Sequence, residues 1–199
     1  MTIDDVQKRL EEDGEEPYLT GQLLIAMPGI GDPRFDKTVI YLCAHSEDGA
    51  MGLVVNREFD DLTFPDLLEQ LNIEPAPHLA PIMVQFGGPV ESGRGFVLHT
   101  QDYMHEGSLA VDDTIALTAT VDILRAIAEG SGPEQRMLAL GYAGWGPGQL
   151  DAEIRANGWL HVESDRSLLF DVDLDEKWEL AMGKIGIDPR MLSDSAGHA

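Results

Sequence analysis

Three short stretches carry the groups that could do chemistry in this chain. The first is Gly144-Trp145-Gly146-Pro147-Gly148, which runs into a helical segment, Gln149 to Ala156. Glycines let a backbone approach a ligand closely, and free N–H groups at a helix start favour anions. Trp145 could stack on a planar ligand, and Gln149 or Glu153 could hydrogen-bond to it. The same residues also make a tight strand-to-helix turn in which Trp145 fills core. The second stretch is Cys43-x-His45, two apart on a strand, so that period-2 geometry points both at one face. A histidine beside a thiol lowers its pKa and makes it nucleophilic or redox-sensitive. Against this, free cysteine is among the most buried residue types, and nothing in the sequence nominates a third, orienting group. The third stretch is a scatter of cations at turns, Arg34, Lys37, Arg57 and Arg94. They either converge as a small anion pocket or pair with Asp32, Asp36, Asp60 and Glu91. The candidate ligand-binding set is therefore Asp36, Arg57, Gly87, Gly88, Arg94, Gly144, Trp145, Gln149 and Glu153, with Cys43 and His45 as the candidate reactive pair.

Several chemistries are excluded by what is missing. Gly29-Ile30-Gly31-Asp32-Pro33 has the look of a dinucleotide loop, but Arg34 stands where the third glycine should and Pro33 interrupts it. No Gly-x-Ser-x-Gly elbow and no Gly-Lys-Ser/Thr loop is present. The six histidines form no i, i+4 helical pair, and a single cysteine gives neither a disulfide nor a thiolate cluster. We therefore expect no metal and no cofactor.

Charge narrows the partners. With 36 acids against 13 bases the formal charge is −23. Residues 1–17 hold seven of the acids and two of the bases, so the remainder is still acidic. Nonspecific nucleic-acid binding is driven by Lys and Arg displacing counterions, and no basic run or basic recognition helix exists here. Direct DNA binding is therefore not expected. The partner expected instead is a small anionic ligand or another protein. No apolar run approaches the ~18 residues of a membrane span, and the acidic start does not read as a signal peptide. A cytoplasmic location follows as the default expectation.

The elements that must position these residues begin with Gly21 to Asn56, where three apolar runs, a tight loop and the cysteine sit together. Gln22 to Met27 reads as a strand buried on both faces. Thr38 to Ala44 and Met51 to Val55 read as a hairpin around Ser46-Glu47-Asp48-Gly49. Thr63 caps a helix, with Asp66 at the capping-box position and Pro65 in its first turn. Ile82 to Phe86 and Gly95 to His99 read as a second hairpin, across Gly87-Gly88-Pro89. Ile115 to Leu117 is a short strand, with Leu109 to Val111 pairing briefly. Thr120 starts a helix through Glu129 with Gly130 at C′. Gln135 to Tyr142 and Trp159 to Val162 are further strands, and Leu168 to Phe170 is a short apolar piece. Asp175 caps a helix bearing Trp178, Leu180 and Ala181, and Asp188 opens a last turn through Leu192. Residues 1–17 read as an acidic mobile tail, and 18–199 as one domain. Hairpins interspersed with short helices favour α+β over a doubly wound sheet.

The blocks GQLLIAMP, the Asp32–Phe35 turn, Cys43-x-His45, GAMGLVVN, LLEQL, GGPV followed by RGFVLH, LGYAGWGPGQLDAEI and a C-terminal GHA, in this order, resemble the AlgH/YqgE family of small bacterial proteins. The resemblance runs from about Tyr18 to Ala199. Asp151 departs from it conservatively, standing where many relatives carry Glu. It implies a compact α+β fold with a coiled, partly split mixed sheet built from hairpins and packed by several short helices. Some members carry a transcriptional-regulator label, and the family supplies no catalytic residues to carry over. The expectation is a non-enzymatic ligand- or protein-binding regulatory module that affects transcription, if at all, indirectly. The alternatives are a small enzyme or redox sensor using Asp36, Cys43 or His45 beside the Gly144–Gly148 turn, and an interaction protein docking through a Trp145 patch.

Overall fold

The computed structural model describes residues 18–189. The acidic segment 1–17 lies outside the described residues, as does the chain from 190 onward. Ten strands form the framework: β1 (Gln22–Ala26), β2 (Val39–Ser46), β3 (Gly49–Val54), β4 (Glu58–Thr63), β5 (Met83–Phe86), β6 (Val90–Thr100), β7 (Ser108–Ala110), β8 (Ile115–Thr118), β9 (Arg136–Trp145) and β10 (Trp159–Glu163). Five helices pack on them: α1 (Phe64–Gln70), α2 (Val121–Glu129), α3 (Gln149–Arg155), α4 (Arg166–Phe170) and α5 (Leu174–Lys184). The sheet order is β10-β1-β2-β3-β9-β6-β8-β7, with β5 on β9 and β4 on β5. This is a curled α+β domain with a mixed sheet, because β5 runs parallel to its neighbour β9 while the other described pairs are antiparallel.

Strand β9 holds the two halves together. Its residues 136–142 pair with β6, residues 138–140 pair with β5, and residues 143–145 pair with β3. The edge opposite β6 is thus shared in succession by β5 and β3, and the sheet splits there. The hairpin expected between Ile82–Phe86 and Gly95–His99 is not formed, because β9 lies between those strands and pairs with both. Close approach at this junction explains the glycines. A Cβ on Gly88 would run into the backbone of Tyr142, and one on Gly87 would run into the carbonyl of Gly141.

Both faces of the β1–β3 sheet are covered, which is why these strands are continuously apolar rather than alternating. One face places Leu23, Ile25, Val39, Tyr41 and Leu53 against Leu169, Trp178 and Ala181 of α4 and α5. The other places Leu24, Ala26, Ile40, Leu42 and Val54 with Trp145, Leu150 and Trp159. A third cluster seats α1 and α2, through Phe64, Leu68, Ile123 and Ile127, on Val84, Val97 and Leu138. The helix ends follow the sequence. Thr63 and Asp66 form the reciprocal capping box of α1, and Gly130 ends α2 in a left-handed conformation at φ 81°. Helix α5 starts two residues earlier than expected, with Asp173 rather than Asp175 at its N-cap. No helix among the described residues is long and apolar enough to cross a membrane.

Candidate functional site

A cleft of about 500 Å³ opens beside α3. Its walls are the Gly29–Phe35 loop, the end of β9, α3 and the start of β10, with Pro89 and Val90 closing one side. Local sequence dictates its shape. Strand β9 continues through Gly144 and Trp145, and Gly148 turns the chain at φ 68°, a left-handed conformation that glycine tolerates best. Helix α3 then runs for seven residues to Arg155, and Asn157, at φ 59°, turns the chain before Gly158. Gln149 and Glu153 are four apart and share one face of α3, while Leu150 and Ile154 lie toward the second core cluster.

The polar centre of this cleft is the Glu153 carboxylate. Its Oε2 accepts the indole N–H of Trp145 at 2.9 Å and that of Trp159 at 2.8 Å. Its Oε1 accepts the Gln149 amide at 2.9 Å, and Gln149 Oε1 in turn accepts the Gly146 N–H at 3.0 Å. The chain of donors fixes the orientation of the Gln149 amide, since only its oxygen can face Gly146. The two indoles meet edge to face at 5.9 Å, and Phe35 adds a second such contact with Trp159 at 5.6 Å. Trp145 and Trp159 are 7% and 2% exposed, so their N–H groups need a protein partner. Every acceptor site in use on Glu153 holds a wall of the cleft in place.

The structure brings Gly144, Trp145, Gln149 and Glu153 into this cleft and leaves the other candidates outside it. Gly87 and Gly88 are packed beneath β9, while the neighbouring Pro89 and Val90 reach the cleft. Asp36 is exposed, and its carbonyl accepts Arg57 Nη2 at 2.7 Å. Arg57 Nη1 donates to the Arg34 carbonyl at 2.5 Å, so Arg57 clamps the loop from outside. Arg94 lies 3.7 Å from Glu91 and over the ring of Phe96. Arg34 lines the cleft but forms a two-pronged pair with Asp32, at 3.0 and 2.7 Å, which lowers the Asp32 pKa. Lys37 lies over the Trp178 ring, 5.7 Å from its centre, so the four cations do not converge.

Cys43 and His45 face different surroundings. The β2–β3 register shifts between Leu42 and Ala44, a bulge that breaks the alternation. Cys43 sits in the first core cluster, fully buried, where burial pushes its thiol up to about 12. His45 turns instead to Tyr18, Leu19 and Asp151. Its Nδ1 accepts the Leu19 N–H at 3.1 Å, and its Nε2 lies 3.7 Å from Asp151. The imidazole is thus a neutral ring with the proton on Nε2, and burial lowers its pKa against the pull of Asp151. Among the described residues, no group of three His, Cys, Asp or Glu side chains could hold a metal ion.

Sequence reasoning missed Trp159, Ile30 and Phe35 as cleft residues. A signal existed for Trp159: it follows Asn157-Gly158, a forced turn, and so must fold back over α3.

Comparison with known proteins agrees with this architecture. A family model described as AlgH-like matches residues 23–190. The UPF0301 protein of Rhodospirillum rubrum is 61% identical over 184 residues, covering 92% of this chain and 96% of its own. The UPF0301 protein of Bradyrhizobium diazoefficiens is 57% identical over 190 residues, covering 92% and 89%. The solution structure of the AlgH protein from Pseudomonas aeruginosa matches with a TM-score of 0.74 at 41% identity, across 94% of this chain and 100% of that one. A crystal structure of a Corynebacterium diphtheriae protein matches with a TM-score of 0.65 at 21% identity, over 88% and 91%, a likeness of fold alone. This chain belongs to the AlgH-like family.

Proposed function

We propose that the chain is a non-enzymatic binding module with a regulatory role, and that its ligand seat is the cleft walled by Phe35, Trp145, Trp159 and α3. The observation that carries this reading is the Glu153 carboxylate, held by two indole N–H groups and one amide. A carboxylate tied in this way is a structural anchor that keeps the aromatic walls rigid, not an acid or base free to move a proton. Preorganised aromatic walls around a few fixed polar groups are the usual make-up of a small-molecule site. The ligand suited to this cleft is a flat organic molecule of modest size. An anionic group on it would have to compete with Asp32 for Arg34. Regulation would run through that ligand or through a protein partner rather than through direct DNA contact, given the net charge of −23. We place the module in the cytoplasm on its composition.

The thiol chemistry that an enzyme reading would need is opposed by burial of Cys43. Docking through Trp145 itself is opposed by its 7% exposure. The test is a thermal-shift screen against nucleotides, phosphorylated metabolites, acyl carriers and amphipathic aromatics at physiological salt. A ligand at 100 times its Kd stabilises by ~2.7 kcal/mol. Phe35→Ala removes one aromatic wall without touching the Glu153 anchor and should abolish the shift. Hits that survive in Phe35→Ala would place the ligand elsewhere and refute the assignment.

A further inference from the structure

A second cleft, of about 460 Å³, lies between β5, the start of β9 and the α4–α5 corner, and shares no lining residue with the first. Two of its side chains carry a buried polar atom with no partner, and a third, Lys177, has donors to spare. Gln85 is 6% exposed, and its Oε1 is buried with no hydrogen-bond partner. Arg136 donates from Nη1 to the Pro133 carbonyl at 2.9 Å, but its Nε is buried and unpartnered. Lys177 is 2% exposed, and of its three N–H donors one is used on the Leu169 carbonyl at 2.6 Å. Buried polar groups are nearly always hydrogen-bonded, so each exception asks for an explanation.

The charges sharpen the point. Of the ten Lys and Arg residues among the described residues, four form ion pairs within 4 Å: Arg34, Arg94, Arg125 and Lys184. Among the described residues neither Arg136 nor Lys177 forms an ion pair within 4 Å, and the carboxylate that acts on Lys177 from farther off is Asp171. A buried ammonium and a half-buried guanidinium whose Nε is buried, neither in an ion pair within 4 Å, line one cleft of an acidic protein and are placed for an anionic group brought from outside. The remaining lining asks for the opposite. Glu134, Asp171 and Asp173 also line the cleft, and the Gln85 oxygen lacks an N–H donor. Asp171 is steadied by the Gln135 amide at 2.8 Å, itself held by Arg166. A multiply charged anion such as phosphate would meet three carboxylates. A molecule with one carboxylate and one ammonium would match both halves.

We propose that this cleft is a binding site for a small zwitterion of the amino-acid class, its carboxylate against Arg136 and Lys177 and its ammonium toward Gln85 and the acidic residues. The site is independent of the aromatic cleft. Burial lowers Lys177 to about 8, which still leaves it mostly cationic at neutral pH.

The experiment is a thermal-shift and amide-NMR titration of the full chain with each of the standard amino acids, alongside succinate, methylamine and inorganic phosphate. Each probe is taken to about 10 mM, enough to detect millimolar Kd values. The expected result is that one or a few amino acids bind, moving amides of residues 83–85, 134–138 and 169–177, while succinate, methylamine and phosphate do not. Lys177→Met and Arg136→Leu should each weaken that binding at least about tenfold, the loss expected when a charge-assisted contact is removed. No binding by any amino acid would overturn the proposal. So would binding by succinate or phosphate with the amino acids silent, or a hit that survives both variants. Should a variant fail to fold, the shift map of the unsubstituted chain decides, and movement confined to other residues overturns the proposal.

Discussion

Replacing Glu153 should disturb far more than a half-exposed surface carboxylate normally would. In Glu153→Leu, the indole N–H groups of Trp145 and Trp159 and the Gln149 amide lose their acceptor together. The tryptophans are 7% and 2% exposed, so water can replace the carboxylate only in part. A buried donor left unpaired costs about 1–3 kcal/mol. Two indoles, each discounted toward the low end for partial solvent rescue, give a loss of about 2–4 kcal/mol. An ordinary surface substitution stays within about 0.5 kcal/mol. Glu153→Gln is the finer probe. It keeps one oxygen for the indoles, but its new amide group faces the Gln149 amide, whose oxygen is already committed to Gly146. It should therefore cost less than the leucine variant but still about 1–2 kcal/mol. Urea unfolding gives the free energies, and the two indole N–H resonances report the local geometry. A loss under about 0.5 kcal/mol in Glu153→Leu, with both indole signals unmoved, would refute the anchoring role.

Three further outcomes follow from the same structure. Cys43, buried with its thiol pushed up to about 12, should resist a disulfide reagent in the native protein and react fully in denaturant; rapid reaction at neutral pH would contradict its placement. His99 is fully buried, with Nδ1 on the Thr100 carbonyl and Nε2 on the Thr118 hydroxyl, and burial lowers its pKa. The unfolded chain therefore takes up that proton first, so stability is complete above about pH 6.5 and falls as pH drops below it, by at most about 1.4 kcal/mol per pH unit. His99→Gln should flatten this part of the urea-stability profile relative to the unsubstituted chain, and parallel profiles would contradict the argument. Gly88→Ala puts a Cβ into the Tyr142 backbone and should cost about 3 kcal/mol or more, seen as a fall in Tm of the purified domain; an unchanged Tm would show that the β5–β9 junction can open.

Local signals carried much of this fold. The β2–β3 hairpin, the Thr63 capping box and the Gly130 cap depend on residues only a few positions apart, and each is where the sequence pattern placed it. What the sequence hid was non-local. Strand β9 lies some 50 residues beyond β5 yet inserts between β5 and β6, and no local pattern announces that pairing. Strand β4, Glu58-Phe-Asp-Asp-Leu-Thr63, is largely exposed and pairs with β5 alone, so its polar sequence lacks the apolar alternation of a half-buried strand. The bulge after Leu42 sends His45 to α3 while Cys43 stays in the core, a one-residue effect that strict alternation misses. At the aromatic cleft, Gly144, Trp145, Gln149 and Glu153 stood out because they are neighbours in the chain. Phe35 and Trp159 come from distant segments and meet them only through the pairing of β10 with β1. Lys177 had a faint signal: on α5 it shares the buried face with Trp178 and Ala181.

The most direct test of the aromatic cleft as a ligand seat is a two-dimensional amide spectrum of the ¹⁵N-labelled chain, recorded against the ligand panel with the Trp145 and Trp159 indole signals as reporters. The account predicts that at least one flat organic compound moves both indole resonances, and that Phe35→Ala, with its own indole signals in place, no longer responds. Compounds that bind while leaving both indoles unmoved, or a panel to which neither indole responds, would contradict it.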